Sequence, residues 1–400
     1  MNSVKNYPNV FVHGMLGWGE RETMYSKFPY WGMLCGSLTK ALTDNGFESY
    51  APKTGSLASA WDRSCELYAQ LTGTTVDYGK AHSEKYDHAR FGRTYEKPLF
   101  EGWGKVDENG FLKKINLLGH SFGGATMRVF VELLTNGCKE EQEATDKDNL
   151  SPLFAGGHGE WVHSITAISA PHNGTTIFYA LPKTMNFARY ATFTIGNILG
   201  NTKINTAYDF CLEQFGLSSI PHLEEPRYGS MLNTVGIEKA VNSNDHLWYD
   251  LTLHGAKELN DHITCCKNTY YFSIAGKMTD EDMLTGHHSH SRGMFPLLWP
   301  LANAMGKYDH NDVNDIPVDK SWCANDGCLP TISGLHPENE PFVDYEDAKS
   351  KKLKKGIWYV MPVEQADHGK IIGGSLQFIG RSKEFVNYYL DHVKMLNSLA

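Results

Sequence analysis

Residues 113–130, KKINLLGHSFGGATMRVF, carry an apolar run straight into Gly119-His120-Ser121-Phe122-Gly123 and then into an amphipathic segment. G-x-S-x-G between a strand and a helix is a nucleophile elbow: the turn is tight, and glycines stand where a Cβ would collide with neighbouring chain. Ser121 is thereby presented at the carboxyl end of a sheet, with the N-terminus of the next helix favouring negative charge beside it. The chemistry such a serine supports is nucleophilic acyl transfer, and it needs a base and an acid to orient that base. In this architecture they follow the serine in the order acid, then histidine. His287, His288, His290, His310, His336 and His368 all follow Ser121. Only His336 and His368 leave room for an acid on a preceding strand end, and His368 lies on a loop just past the apolar run GIWYVMPV. Asp326, on the Asn-Asp-Gly turn of SWCANDGCLP, is well placed to present a carboxylate, with Asp315 and Asp344 as rivals. An oxyanion hole needs two backbone N–H donors. Phe122, the residue after the nucleophile, supplies one. The loop HGMLGWG after the first strand should supply the other, through Met15.

These residues require a sheet to carry them. NVFVHG (9–14), INLLG, VHSITAIS, TYYFSIAG (269–276) and GIWYVMPV (356–363) read as strands. Residues 30–47, 56–75, 123–137 and 383–399 read as helices, and 177–260 as mostly helical with aromatic residues throughout. Residues 76–104 are polar, aromatic and irregular, which marks an insertion. Strands alternating with helices predict an α/β protein with a mostly parallel sheet covered on both faces. Residues 177–240, apolar with few charges, are read either as core helices or as an amphipathic lid over the substrate site.

Composition narrows the function classes. The chain has 400 residues, 41% hydrophobic and 21% charged, with a formal net charge of −9, which leaves no basic footprint for nucleic acid. Eight cysteines in this length do not make a disulfide framework, although Cys323 and Cys328 flank a turn and could pair. The vicinal Cys265 and Cys266 read as buried thiols. There is no stretch of about 20 apolar residues to span a membrane. The first residues show no charged segment followed by an apolar run, so the expectation is a cytoplasmic chain or the mature form of a secreted one. Three function classes fit: a serine ester hydrolase, a zinc-dependent hydrolase, and a non-catalytic lipid-binding relative.

The chain closely resembles the family I.5 thermoalkalophilic lipases of bacteria and their staphylococcal relatives. The resemblance runs from about residue 8 to the C-terminus through VHGMLGWGE, WDRSCELYAQLTGTTVDYGKAH, HARFGRTY, GHSFGG, SPLFAGGH, APHNGTT, YDLTLHGAKELN, NTYYFSIA, NDG and ADH. It implies a single α/β-hydrolase domain over residues 1–400, with a zinc-binding insertion at 56–104 and a helical lid at 177–260. It further implies a Ser121, Asp326, His368 triad, oxyanion donors Met15 and Phe122, and hydrolysis of lipid or other carboxylic esters met at an interface. Met15 and Phe122 replace the family's usual Phe and Gln, changes that leave the N–H donors intact and should tune the acyl pocket. Accessible synthetic polyesters become conceivable substrates if the site is open.

The resemblance also implies one structural zinc, held by Asp62, His82, His88 and Asp250. Spacing by itself does not mark this site, since two histidines six residues apart do not share a helical face. Two imidazoles and two carboxylates do suit tetrahedral zinc with no open position. The family's calcium site is expected to be absent. Lys370 and Ser375 stand after His368 where acids would be needed, and an ammonium opposes a cation that wants carboxylate oxygens.

Overall fold

The computed structural model describes residues 6–219, 232–310, 316–378 and 381–399. Its centre is a seven-stranded sheet in which every neighbouring pair is parallel. In chain order the first elements are β1 (Asn9–Val12), α1 (Leu38–Asp44), β2 (Ser49–Tyr50) and α2 (Ala60–Thr72). The insertion follows: β3 (Thr75–Asp77), α3 (Lys80–Tyr86) and β4 (Phe91–Thr94), with β3 and β4 paired antiparallel. Next come β5 (Ile115–His120), α4 (Phe122–Asn136), β6 (Val162–Ile168) and β7 (Tyr270–Ile274). A small antiparallel hairpin, β8 (Thr279–Glu281) and β9 (His288–His290), precedes β10 (Phe342–Asp344) and β11 (Trp358–Val360). The sheet order is β10-β11-β7-β6-β5-β1-β2.

Full burial on both faces explains why the central strands are continuous apolar runs rather than alternating ones. Every residue of β1, β5, β6 and β7 is buried. Val10, Val12 and Leu117 face one core with α2 and α4, whereas Phe11, Leu118 and Ile168 face a second core closed by Trp31, Phe385 and Tyr389. The chain order reverses between β1 and β5, and the crevice outside the carboxyl ends of strands at such a switch point is where ligands of open α/β sheets bind.

The structure differs from the sequence expectation at 30–47, in the insertion and at the short strands. Residues 30–47 form an α-helix only over Leu38–Asp44, preceded by one 3-10 turn at Met33–Cys35, because Gly32 (φ 112°) and Gly36 (φ 86°) break the earlier part. There the backbone bonds across the fold instead, Gly32 N to Ile372 O at 2.9 Å. The insertion is better ordered than its composition suggests. Strands β2, β8, β9 and β10 are too short to have a readable period. Within 177–260 the structure has helices Ile177–Ala180, Pro182–Gly200, Thr234–Asn242, Leu247–Asp250 and Leu253–His262; residues 220–231 of that region lie outside the described ones. All eight cysteines are free thiols, so Cys323 and Cys328 are not paired. Among the described residues no helix is long and apolar enough to cross a membrane.

The closing helix Ser382–Ser398 is fastened to the sheet partly through His392, whose Nε2 lies 2.8 Å from Thr166 Oγ1. Burial lowers the His392 pKa to about 4 from 6.5. Below about 6.5 the unfolded chain therefore binds a proton here that the folded chain refuses, and stability falls as pH falls towards 4. The loss saturates at on the order of 3 kcal/mol. Urea midpoints at pH 7.5 and 5 should fall further for the wild type than for His392→Gln; equal slopes would contradict this assignment.

Candidate active site and metal cluster

Ser121 stands between β5 and α4 with φ 55° and ψ −130°, a conformation that L residues rarely adopt. Its N–H is bonded to Ile168 O on β6 at 2.9 Å, and its carbonyl accepts the Gly124 N–H at 2.9 Å. Close packing explains the flanking glycines. A Cβ on Gly119 would lie 2.5 Å from Met127 Cε and 2.7 Å from the Gly123 carbonyl carbon. The loop after β1 also packs against the serine, since a Cβ on Gly14 would lie 2.6 Å from Ser121 Cβ.

His368 and Asp326 are brought together as the sequence suggests. His368 Nδ1 lies 2.8 Å from Asp326 Oδ2, and the His368 N–H donates to the Asp326 carbonyl at 2.9 Å. The other carboxylate oxygen accepts the N–H groups of Cys328 and Leu329 at 2.9 and 2.8 Å, so the Asn-Asp-Gly turn fixes the acid. Asp326 is buried, and His368 is mostly so. The rivals are elsewhere: Asp344 is exposed at the end of an edge strand, and His336 stacks on Phe342 with its Nδ1 on Pro337 O. Asp315 lies outside the described residues.

A hydrogen-bond chain that the sequence did not announce links these parts. His120 Nε2 lies 3.0 Å from His368 O, and its Nδ1 lies 2.7 Å from Tyr30 Oη. A carbonyl only accepts, so Nε2 carries the proton and Nδ1 accepts from the tyrosine. The Tyr30 oxygen in turn accepts the Gly14 N–H at 3.0 Å. Burial, and then the charge of His368, holds His120 well below its ordinary pKa, so the imidazole stays neutral and its tautomer is fixed. The strand carrying the serine, the histidine loop and the loop after β1 are thus tied by one buried path. Nothing in the local sequence around Tyr30 signals this, because its partners lie 16 and 90 residues away.

The structure brings three of the four expected metal-ligand candidates together, and the fourth is corrected. Asp62, His82 and His88 converge with Asp245, not with Asp250, and one ligand atom from each lies within 4.8 Å of the others. His82 Nε2 is 3.3 Å from both Asp62 Oδ1 and Asp245 Oδ1, and His88 Nε2 is 3.1 Å from Asp245 Oδ2. Yet Asp62 Oδ1, His82 Nε2, His88 Nε2 and Asp245 Oδ2 are all buried without a hydrogen-bond partner, so the four donors face a common centre rather than one another. The Nδ1 of His88 is 2.9 Å from Ala89 O, which leaves its Nε2 lone pair for a cation. Asp62 Oδ2 accepts from Gln214 Nε2 at 3.0 Å, a further oriented partner. Burial would lower the pKa of His82, but Asp245 and Asp62 outweigh it and raise the group to about 9, a measure of how strongly this centre attracts positive charge. The donor set fits a divalent cation.

Asp250 is otherwise engaged. Its Oδ2 accepts the Ala60 N–H at 2.8 Å, capping the start of α2, and burial raises its pKa to about 8. Asp245 and Asp250 are both acids in one short segment, and only the fold decides which of them faces the histidines. A cavity of about 710 Å³ borders the cluster through His82 and Asp245. In a second acidic group, Asp209 with Cys211 and Glu213, Arg93 bridges the two carboxylates, at 2.8 Å from Asp209 and 2.7 Å from Glu213. In the segment after His368, Lys370 Nζ donates to Gln365 O at 2.9 Å, and Asp367 is occupied by the N–H groups of Phe295, Gly369 and Lys370.

Comparison with known proteins shows the family of the chain. Residues 5–398 match the family model described as "Lipase-like, C-terminal domain". Lipase 2 of Staphylococcus aureus (strain MRSA252) is 34% identical over 392 residues, covering 96% of this chain and 53% of that protein. The chain thus spans about half the length of the curated relatives it matches. Among solved structures, EstA from Clostridium botulinum is 35% identical with a TM-score of 0.80, covering 100% of this chain and 90% of that one. Staphylococcus hyicus lipase is 30% identical with a TM-score of 0.81, covering 98% and 96%. The chain belongs to the lipase-like family of α/β-hydrolase fold that includes the staphylococcal lipases, the family I.5 type indicated by its motifs.

Proposed function

We infer that the protein is a serine carboxylic ester hydrolase acting on lipid or shorter-chain esters. The observation that carries this reading is the His368–Asp326 pair at 2.8 Å, bonded through His120 to the strand that ends on the strained Ser121. In the proposed cycle His368 Nε2 takes the Ser121 hydroxyl proton as Oγ attacks the ester carbonyl. Asp326 holds the imidazole with Nδ1 protonated and stabilises the cation that forms. The N–H groups of Met15 and Phe122 receive the oxyanion. His368 then gives its proton to the departing alcohol, and water hydrolyses the acyl-enzyme by the same steps in reverse roles. The partly buried Met15 side chain is suited to meeting the acyl chain. The helix Pro182–Gly200 leaves Phe187, Tyr190 and Ile195 exposed, which suits a lid that presents apolar surface to an ester aggregate. An open lid would also admit an insoluble polyester chain.

The cation we assign to Asp62, His82, His88 and Asp245 is zinc. Two imidazoles and two carboxylates complete a four-coordinate shell, the pattern of a structural site, whereas a catalytic zinc keeps one position for water. The role is to tie α2, the insertion and the 234–250 region together, and every chemical step is left to Ser121 and its partners. The division of the chain into one domain over 1–400, a zinc-binding insertion at 56–104 and a lid or cap at 177–260 is proposed on the same grounds. A zinc-dependent hydrolase would be insensitive to serine-directed reagents. Treatment with a fluorophosphonate followed by peptide mass spectrometry decides between them, with a single adduct on Ser121 expected and an unmodified, still active protein overturning the assignment.

Ser121→Ala should lower turnover of a p-nitrophenyl ester by roughly 10⁴–10⁶-fold with the circular dichroism spectrum unchanged. Near-normal turnover would remove Ser121 from the mechanism. For the metal, elemental analysis should find one zinc per chain, lost in His88→Ala. Because such a site hardly exists in the unfolded chain, that variant should melt earlier. Its turnover at low temperature should survive far better than that of Ser121→Ala. A metal-free wild type whose melting is indifferent to chelators would refute the zinc site. Millimolar calcium should leave the wild-type melting temperature unchanged, since the Lys370 ammonium occupies the segment that would have to supply carboxylates. A rise of several degrees would reveal a calcium site elsewhere.

A further inference from the structure

Arg63 is a fully buried cation in the first turn of α2, and the reaction scheme above gives it no task. Its hydrogen bonds all go to neutral oxygens. Nη2 donates to His13 O, Nη1 to Gly55 O at 2.9 Å and at longer range to Gly14 O at 3.5 Å, and Nε to Thr126 Oγ1 at 2.9 Å. A guanidinium keeps its charge at neutral pH even when buried. Burying a charge without a bonded carboxylate is costly, and a neutral side chain of similar volume would avoid that cost.

The acceptors show what the charge does. The Gly14 carbonyl belongs to the peptide group whose N–H is that of Met15. In a trans peptide the two point in opposite directions, so whatever holds the carbonyl inward aims the N–H outward. Gly14 O is held by His13 Nδ1 at 2.9 Å and Gly17 N at 3.2 Å as well as by the guanidinium. The Thr54 N–H donates to His13 Nε2 at 3.1 Å, so His13 carries its proton on Nδ1 and can only donate to Gly14 O from there. On the other side, Thr126 Oγ1 accepts from Arg63 and donates to Phe122 O at 3.1 Å, and the Phe122 ring lies 5.4 Å from the guanidinium carbon. One cation therefore binds the loop that ends in Met15 and the first turn of the helix that begins at Phe122.

We propose that Arg63 is a positioning residue for ester hydrolysis, setting the Met15 and Phe122 N–H groups in register as one oxyanion hole. This rests on the reading of Ser121 as the nucleophile. The guanidinium polarises the Gly14–Met15 peptide and places fixed positive charge behind both donors, where negative charge develops only in the tetrahedral state. Its contribution belongs to turnover and not to the binding of uncharged ester.

The test compares wild type, Arg63→Lys and Thr126→Val, all purified with metal bound. Fluorophosphonate labelling of wild-type Ser121 comes first. A wild type that gives no adduct there defeats the nucleophile reading and this inference with it. With the adduct present, kcat and KM for p-nitrophenyl butyrate are measured separately. Affinity is measured for an alkyl boronic acid, which forms a tetrahedral anion on serine, and for the matching unreactive ketone. Arg63→Lys keeps the charge but loses the planar fork, and should lower kcat and boronate affinity by about 10²-fold, with KM and ketone affinity within about threefold. Thr126→Val, nearly isosteric, should show the same pattern at about tenfold. A folded Arg63→Lys with wild-type kcat overturns the proposal. So does a loss shared equally by the ketone and the boronate, which is the signature of a purely structural role. Should Arg63→Lys fail to fold, unchanged kcat and boronate affinity in Thr126→Val overturn it instead.

Discussion

The backbone at Ser121 is held at φ 55° and ψ −130°, and a conformation of this kind costs of order 1–3 kcal/mol unless its surroundings over-determine it. The surroundings here do so on every side. The residue's N–H is bonded to β6, its carbonyl to the first turn of α4, and the Gly14 loop presses on its Cβ. Two of these supports come from different crossovers of the parallel sheet, so the elbow is complete only when β1, β5 and β6 are adjacent. The strain and the sheet order are two aspects of one arrangement. The turn is tight because three strands and a helix meet there, and the tight turn sets the serine at the carboxyl end of the sheet.

Polar contacts around the elbow extend this logic into the core. Tyr30, His120 and the His368 carbonyl form one path, and Arg63, His13 and Thr126 another, both meeting at Gly14, the first on its N–H and the second on its carbonyl. Each imidazole in these paths has its tautomer fixed by a partner that can play only one role, a carbonyl for His120 and an amide N–H for His13. Buried polar groups are expensive unless satisfied, and satisfied ones specify a single arrangement. The region behind Ser121 therefore has little freedom to adjust, which is what a preorganised site for a developing charge requires.

The cluster of Asp62, His82, His88 and Asp245 solves a different problem. Residues 76–104 bury few apolar side chains, and β3 and β4 form a separate two-stranded ladder that would be marginal in isolation. Bringing two carboxylates and two imidazoles together without a cation would leave four buried, unbonded donors and acceptors. With a cation they become the strongest local constraint on that region. Asp250, five residues away, instead caps α2, so the same short segment supports both the cluster and the helix that carries Asp62 and Arg63.

What the sequence by itself determined is whatever local chemistry enforces. G-x-S-x-G after an apolar run and before an amphipathic one marks a strand–turn–helix with its serine at the turn. The Asn325-Asp326-Gly327 turn fixes a carboxylate through its own N–H groups. The order of strands and helices follows from apolar runs and amphipathic periods, and the two histidines and Asp62 were legible through the family's motifs. Tertiary structure alone decided the choice of Asp245 over Asp250, because two acids so close in sequence differ only in where the chain directs them. It also decided the breaking of the helix expected at 30–47, since Gly32 pays its lost helical bonds back through Ile372, a partner invisible to any local window. Tyr30, His120 and Arg63 belong to the same class. A buried tyrosine, histidine or arginine looks like core or surface in a linear reading, and only its neighbours across the fold reveal which peptide group it holds.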